Sequence, residues 1–346
     1  MDGYLAVVSP NLLPSIVSPD AMARIRAVAQ HLPPCSLAGF ELRLADDQST
    51  IDFGVRLPHG GPGLASPLAS NAMWQQVQRL CNAVASRSGP LHAQVSTVML
   101  EFDLDRSPAA IPIPGVFVIL RPDHSCTARD LLALADWLQP EQPIHVSFDM
   151  LSRCHDALPS AASIGQVGLL SARPGKSLRL GLRGMRAAAL FPYLDAVGWH
   201  DPPGVLHRLV EEIAPLADPS VILSIDLAET VGPRIGVEFY VRSGTDDDRR
   251  WRTLFACLAE RGLASPRKMD AILAWPGVTE QGRAGSLWAD DLALGDALFY
   301  GSAASVFVRS INHIKVAYQP GHAPEVKAYL AFAHSWIATG ATDASA

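Results

Sequence analysis

Short stretches in which apolar residues alternate with polar or small ones recur along this chain in pairs, and helical periodicity follows each pair. The first pair is CSLAGFELRLA with STIDFGVRLP, followed by SNAMWQQVQRLCNAVAS. The second is AQVSTVMLEFDLD with GVFVILRP, followed by ARDLLALADWL. The third is ASIGQVGLLSA with KSLRLGLRGM, followed by AAALFPYLDAV and a further helical run, GVLHRLVEEIAPLA. The fourth is VILSIDLAE with PRIGVEFYVRS, followed by WRTLFACLAERGL. In the fifth, ASVFVRS and NHIKVAYQP are expected as strands and PEVKAYLAFAHSW as the helix. Each strand pair and each helix has one apolar face to bury. Five units bury them together if ten strands close into an antiparallel barrel inside a layer of helices, an α+β fold. A two-lobed α+β arrangement of the same repeats is the alternative.

Alternation also assigns faces, because every second side chain of a strand points the same way. Asp52, Gly54 and Arg56 share a face, as do Arg179, Gly181 and Arg183. So do Arg234, Gly236, Glu238 and Tyr240, and likewise His313, Lys315, Ala317 and Gln319. In a sandwich these polar faces would meet water. In a helix-wrapped barrel they line the interior, and Gly54, Gly181, Gly236 and Ala317 leave room there for a ligand.

This order of elements resembles the ABBA prenyltransferase barrel, or PT barrel, of soluble aromatic and indole prenyltransferases. The resemblance spans residues 20–337 and is mainly architectural. Its sequence echoes are LSIDLAE followed by PRIGVEFY, and NHIKVAYQPG followed by VKAYLAF. It implies consecutive αββα units around a solvent-filled chamber, in which inward basic and tyrosine side chains hold an allylic diphosphate. The indole branch often carries Arg-x-Lys-x-Tyr or Lys-x-Tyr on its strands. Here Arg234 matches the arginine, while Gly236 and Glu238 stand where lysine and tyrosine are expected. The implied activity is transfer of a prenyl group to an aromatic or peptide-side-chain acceptor in specialised metabolism, with magnesium as an optional companion of the donor. Arg and Lys suit diphosphate because they form charge-assisted bonds to phosphate. Arg179, Arg234 and Lys315 are the leading donor-binding candidates, with Arg56 and Arg183 behind them. Glu238 and then Glu101 are candidates to orient or deprotonate the acceptor, and Tyr240 to shield a developing cation. The alternative is a non-catalytic barrel that binds a peptide or biosynthetic intermediate, motivated by the acidic Glu238 on the supposed donor face.

Composition narrows the classes. The chain has 346 residues, 49% of them hydrophobic, with a formal net charge of -6. It has no basic stripe of the kind a nucleic-acid surface needs. No apolar run reaches membrane-spanning length, and the N-terminus lacks the basic start of a signal peptide. Five scattered cysteines without a CxxC read as buried thiols in a reducing cytoplasm. Residues 59–70, HGGPGLASPLAS, make a loop without the Gly-Lys-Ser/Thr that would mark a phosphate loop. The histidines form no HExxH, and no GxSxG occurs. Asp103, Asp149 and Asp226 close FDL-like strand endings and are expected to make structural hydrogen bonds there. Trp275 and Trp288 are expected to pack in the core, with a barrel mouth as the alternative place for them, within a less regular stretch at 273–302 that crosses one end or forms a lid. Residues 1–19 are taken as an extension, with a helix over 20–32 capped by Asp20, and 338–346 as a disordered tail.

Overall fold

The computed structural model describes residues 1–45, 50–58, 66–104, 113–138, 146–170, 177–242, 246–298 and 303–338. The strands are β1 (Leu37–Arg43), β2 (Ile51–Arg56), β3 (Val95–Phe102), β4 (Gly115–Leu120), β5 (Ser163–Leu169), β6 (Leu178–Arg186), β7 (Ser220–Leu227), β8 (Val231–Phe239), β9 (Gly277–Glu280), β10 (Ala303–Tyr318) and β11 (Glu325–Ala338). β1 to β8 form an antiparallel meander, β8 pairs with β10, and β10 pairs with β11, which pairs back to β1. Ten strands therefore close into a barrel surrounded by helices. β9 is an eleventh strand, outside the closed ring, on the part of β10 that runs beyond β8. No helix among the described residues is long and apolar enough to cross a membrane.

The outward strand faces make the core against the helices. Phe40 lies beside Phe53 and Phe332 and meets Trp275 edge-on. Trp74, on the helix Ala72–Ala85, stacks on Phe102 of β3. Each such side chain, fully buried, stabilises the fold by about 1.5–3 kcal/mol. The helices start at side-chain caps: Asn71 Oδ1 accepts from the amides of Met73 and Trp74, and Thr127 and Asp130 exchange bonds as a capping box before Ala128–Leu138. The opening helix runs Pro19–Ala29 and its cap is Ser18, not Asp20, because Ser18 Oγ accepts from the amide of Ala21. Ahead of it, Asp2–Val8 forms a helix that buries Leu5 and Val8, with Tyr4 edge-on to Phe307.

The fifth unit differs from the sequence expectation. ASVFVRS and NHIKVAYQP belong to one continuous strand, β10, and PEVKAYLAFAHSW is strand β11, not a helix. Its period is two: Val326, Ala328, Leu330 and Phe332 are buried on one face, with Lys327, Tyr329 and Ala331 between them on the other. Fusion of the two short strands and conversion of the helix together leave ten in the ring. A register shift between Ile311 and His313 leaves Asn312 as a bulge, which made one strand read as two. Asp149 likewise lies in the first turn of the helix Phe148–Asp156 and not at a strand end. Trp275 and Trp288 are buried in the core, as expected for these tryptophans by default, with Trp275 donating to the carbonyls of Ser310 and Ala331. The stretch at 273–302 contributes β9 and the helix Asp290–Leu298. Of the loop at 59–70, residues 59–65 lie outside the described residues, as do 339–346 of the tail.

Candidate active site

The inward face is built in rungs. Gly39, Gly54, Glu101 and Gly115 follow one another across β1 to β4. Gly181, Ser224, Gly236 and Ala317 do so across β6, β7, β8 and β10. Of these, Gly39, Gly54, Gly181 and Ser224 line a cavity of about 350 Å³, walled partly by Met99, Phe117 and Ile119 and partly by charged side chains. That size falls within the range typical of small-molecule sites, about 300–1,000 Å³. A second space of about 30 Å³, room for about one water, lies beside Arg234, Ala317 and Lys327.

The antiparallel registers give the chamber two ends. At the end where β1 finishes and β11 begins, cations and carboxylates alternate. Arg43 bonds Asp52 at 2.7 Å and reaches Glu325 at 3.3 Å. Lys327 Nζ donates to Glu41 at 2.5 Å, and Tyr329 OH donates to the other oxygen of Glu41. Arg179 makes a fork to Asp226 at 2.7 and 2.8 Å, and Arg234 pairs with Glu325. Nearer the middle, Lys315 Nζ donates to Glu238 and to Ser224 Oγ, both at 3.1 Å, and Tyr240 OH donates to Glu238 at 2.9 Å.

These contacts set the protonation states. Burial opposes the charge on Glu238, but Lys315, His313 and the hydrogen bonds from Lys315 and Tyr240 outweigh it and hold the carboxyl at about 2. Burial is likewise outweighed at Glu41, where Lys327 and Arg43 hold the carboxyl well below its usual range. Asp52 goes the other way: burial and then the adjacent Glu41 charge push it up to about 7 against the pull of Arg43. Burial pushes His313 down to about 4, with Lys315 and Arg242 acting in the same direction against Glu238. His313 is therefore a neutral imidazole near pH 7. Its ring stacks on Tyr329 at 4.0 Å and lies 4.9 Å from Tyr240, so three aromatic faces stand side by side on the wall. Its Nε2 is buried without a hydrogen-bond partner, 3.6 Å from Glu238 Oε2.

The opposite end, where β2 finishes and β6 and β8 leave the barrel, is different. Arg56, Arg183 and Arg242 line the cavity there, and among the described residues none of the three is in an ion pair. Arg183 is held by neutral acceptors: Ser163 Oγ at 3.0 Å and the carbonyls of Leu120 and Arg121 at 3.3 and 3.0 Å. The Arg242 guanidinium lies over the Tyr240 ring at 4.3 Å and bonds Asn312. Arg56 Nε is buried and without a partner.

Arg56, Arg179, Arg183, Glu101, Glu238, Tyr240 and Lys315 all line the larger cavity, and Arg234 lines the smaller one. The three leading donor-binding candidates, Arg179, Arg234 and Lys315, each face a carboxylate. Sequence reasoning missed Glu41, Lys327 and Tyr329. The signal was present, because Lys327-Ala328-Tyr329 is a Lys-x-Tyr, but reading that segment as a helix put the two side chains on different faces. The carboxyl groups of Glu41, Asp52, Asp226 and Glu238 are engaged by Lys or Arg. No group of three His, Cys, Asp or Glu poised for a metal occurs among the described residues. All five cysteines are free thiols, four of them buried and Cys257 half-buried. Burial pushes Cys35 to about 12 and Cys81 to about 11, far from the reactive thiolate range.

No protein-family model and no curated protein matches this chain. Solved structures do match in fold. Prenyltransferase PriB in its apo form aligns with TM-score 0.53 and 17% identity over 95% of this chain and 94% of that one. Its ternary complex with L-tryptophan and dimethylallyl thiolodiphosphate aligns with TM-score 0.53 and 16% identity, over 95% and 96%. The 5-dimethylallyltryptophan synthase from Streptomyces coelicolor aligns with TM-score 0.51 and 15% identity, over 95% of each chain. The architecture is that of the PT barrel.

Proposed function

We propose that this protein transfers a prenyl group from an allylic diphosphate to an aromatic or peptide-side-chain acceptor inside the barrel. The observation that carries the reading is the cavity of about 350 Å³ in which aromatic and apolar walls meet several arginines and a lysine. The fold shared with PriB and the dimethylallyltryptophan synthase supports it. In the reaction the allylic C–O bond breaks and its electron pair leaves on the diphosphate. Cationic side chains offset that charge, and the faces of Phe117, Tyr240 and Tyr329 shield the allylic cation from water. A carbon or heteroatom of the acceptor forms the new bond, and its proton passes to a base. Glu238 is poorly suited to this, since Lys315, Ser224 and Tyr240 already occupy both oxygens. Glu101, which lines both cavities, is the other candidate base. Magnesium, where it accompanies the donor, arrives with the diphosphate.

The balanced ion pairs favour a second reading, a chamber that binds an aromatic or peptide ligand without catalysis. Incubation with dimethylallyl and geranyl diphosphate plus tryptophan, tyrosine or aromatic peptides, read by mass spectrometry, separates the two. Transfer gives a product heavier by one prenyl group. Acceptor binding without donor binding, across all these donors, leaves only the second reading.

A further inference from the structure

Two hydrogen-bond acceptors face each other in the middle of the chamber. Asn312 is the bulge of β10, and a bulge re-aims the side chain beside it. His313 thereby stands opposite Tyr329, on whose ring the imidazole stacks at 4.0 Å and 17°. His313 is only 8% exposed and lines the large cavity together with Glu238. Its proton position follows from its neighbours. Arg242 Nη2 donates to Asn312 Oδ1, and His313 Nδ1 meets the same oxygen at 3.3 Å. Two acceptors cannot bond each other, so Nδ1 carries the proton and Nε2 presents a lone pair. That lone pair has no hydrogen-bond partner and lies 3.6 Å from Glu238 Oε2.

Glu238 leaves a place for one more donor on the same side. A carboxylate accepts about four hydrogen bonds. Oε1 takes Lys315 Nζ at 3.1 Å and Ser224 Oγ at 3.3 Å, and Oε2 takes Tyr240 OH at 2.9 Å. The remaining position is on Oε2, the oxygen that His313 Nε2 approaches. Unpaired acceptors are costly in a low-dielectric interior, and a single N–H or O–H between these two would satisfy both. A neutral donor matches better than an ammonium, because Lys315 already balances the Glu238 charge.

We propose that His313 Nε2 and Glu238 Oε2 form a two-acceptor clamp for one N–H or O–H on an aromatic ring, which makes His313 a specificity-determining residue of the chamber. The ring rests among walls that include Phe117, Met99 and Tyr240. The identity of the ligand rests on the prenyl-transfer reading, in which it is the acceptor, an indole or phenol that carries the donor on its own ring. The contact is non-covalent and selects the acceptor by what its ring can donate.

The test is calorimetric binding of tryptophan against benzothienylalanine, and of tyrosine against phenylalanine, to wild type and H313F. The same samples are incubated with dimethylallyl and geranyl diphosphate, and products are read by mass spectrometry. The second member of each pair keeps the ring shape and lacks the ring donor. The wild type should bind the donor-bearing member of at least one pair about tenfold or more tightly, because its analogue leaves buried acceptors unpaired. H313F keeps a ring against Tyr329 but has no lone pair, and should bring that preference close to parity. In wild type carrying isotopically labelled histidine, the Nε2 nitrogen resonance of His313, assigned by its absence from H313F or H313Q, should move with the preferred ligand and stay in place with its analogue. This reading holds even if H313F does not fold. A lost preference with a prenylated product supports both readings. A lost preference with no product from either donor leaves the clamp standing, and the prenyl-transfer reading is the one that fails. A preference that survives in H313F overturns the clamp, and a prenylated product then leaves prenyl transfer standing. A wild type that favours the donor-bearing ring in neither pair, or an Nε2 resonance that ignores every ligand, overturns the clamp as well.

Discussion

The Glu41–Lys327 pair gives the most quantitative test of the chamber's construction. Glu41 is 4% exposed and Lys327 8%, and they meet at 2.5 Å. E41Q keeps the shape and still offers Tyr329 an acceptor, but it leaves the Lys327 ammonium buried without that counter-charge. Breaking a buried pair in this way costs about 3–5 kcal/mol. An unfolding entropy of ~2.1 cal/mol/K per residue amounts to ~0.7 kcal/mol/K over this chain, so the melting temperature should fall by about 4–7 °C. K327M should do comparable harm by stranding Glu41, whereas E41Q/K327M removes both charges and should cost much less than the two singles added together. Calorimetry or urea unfolding of the four proteins reads this directly. A shift below about 1 °C for E41Q, or strict additivity in the double variant, would refute the argument that the pair is desolvated.

Stability should also fall in acid through His313. Its folded-state pKa, about 4, lies below the ordinary 6.5, so the unfolded chain binds the proton more readily. The loss begins as pH drops below about 6.5, reaches ~3 kcal/mol near pH 4 and then levels off. Glu238, Tyr240 and Arg242 on the β8 side, Lys315 and Asn312 beside it, and Tyr329 and Glu41 across β11 and β1 all face this group. Urea midpoints against pH should flatten in H313F, and an unchanged profile in that variant would assign the loss elsewhere. Glu238 adds a separate loss between about 4.5 and 2, where its depressed carboxyl is finally protonated. G39A should destabilise by about 1–3 kcal/mol, because a Cβ there would collide with the backbone oxygen of Leu330. G236A should fold with a smaller cost, since the atom it meets is Cε of the flexible Lys315. By displacing that lysine it should raise the Glu238 pKa, measurable by carboxyl NMR titration; no rise would show that Lys315 does not set it.

The period-two alternation of β2, β6, β8 and β10 was enough to assign Arg56, Arg179, Arg183, Glu238 and Lys315 to one kind of face, because the side-chain direction of a strand is a local property. The helix after each of the first four strand pairs was legible for the same reason. β11 was not, because its apolar run AYLAFA satisfies a helical pattern as well as a strand pattern. Only the sheet edges left by β1 and β10, which needed a partner to close the ring, decide that it is a strand. Charge pairing was equally invisible. Arg179 and Asp226 are 47 residues apart, and Glu41 and Lys327 are 286 apart; nothing local joins them. The sequence determined which side chains of β2, β6, β8 and β10 share a face, because that alternation is local. Strand register, set by closure of the whole ring, decided which cation meets which carboxylate.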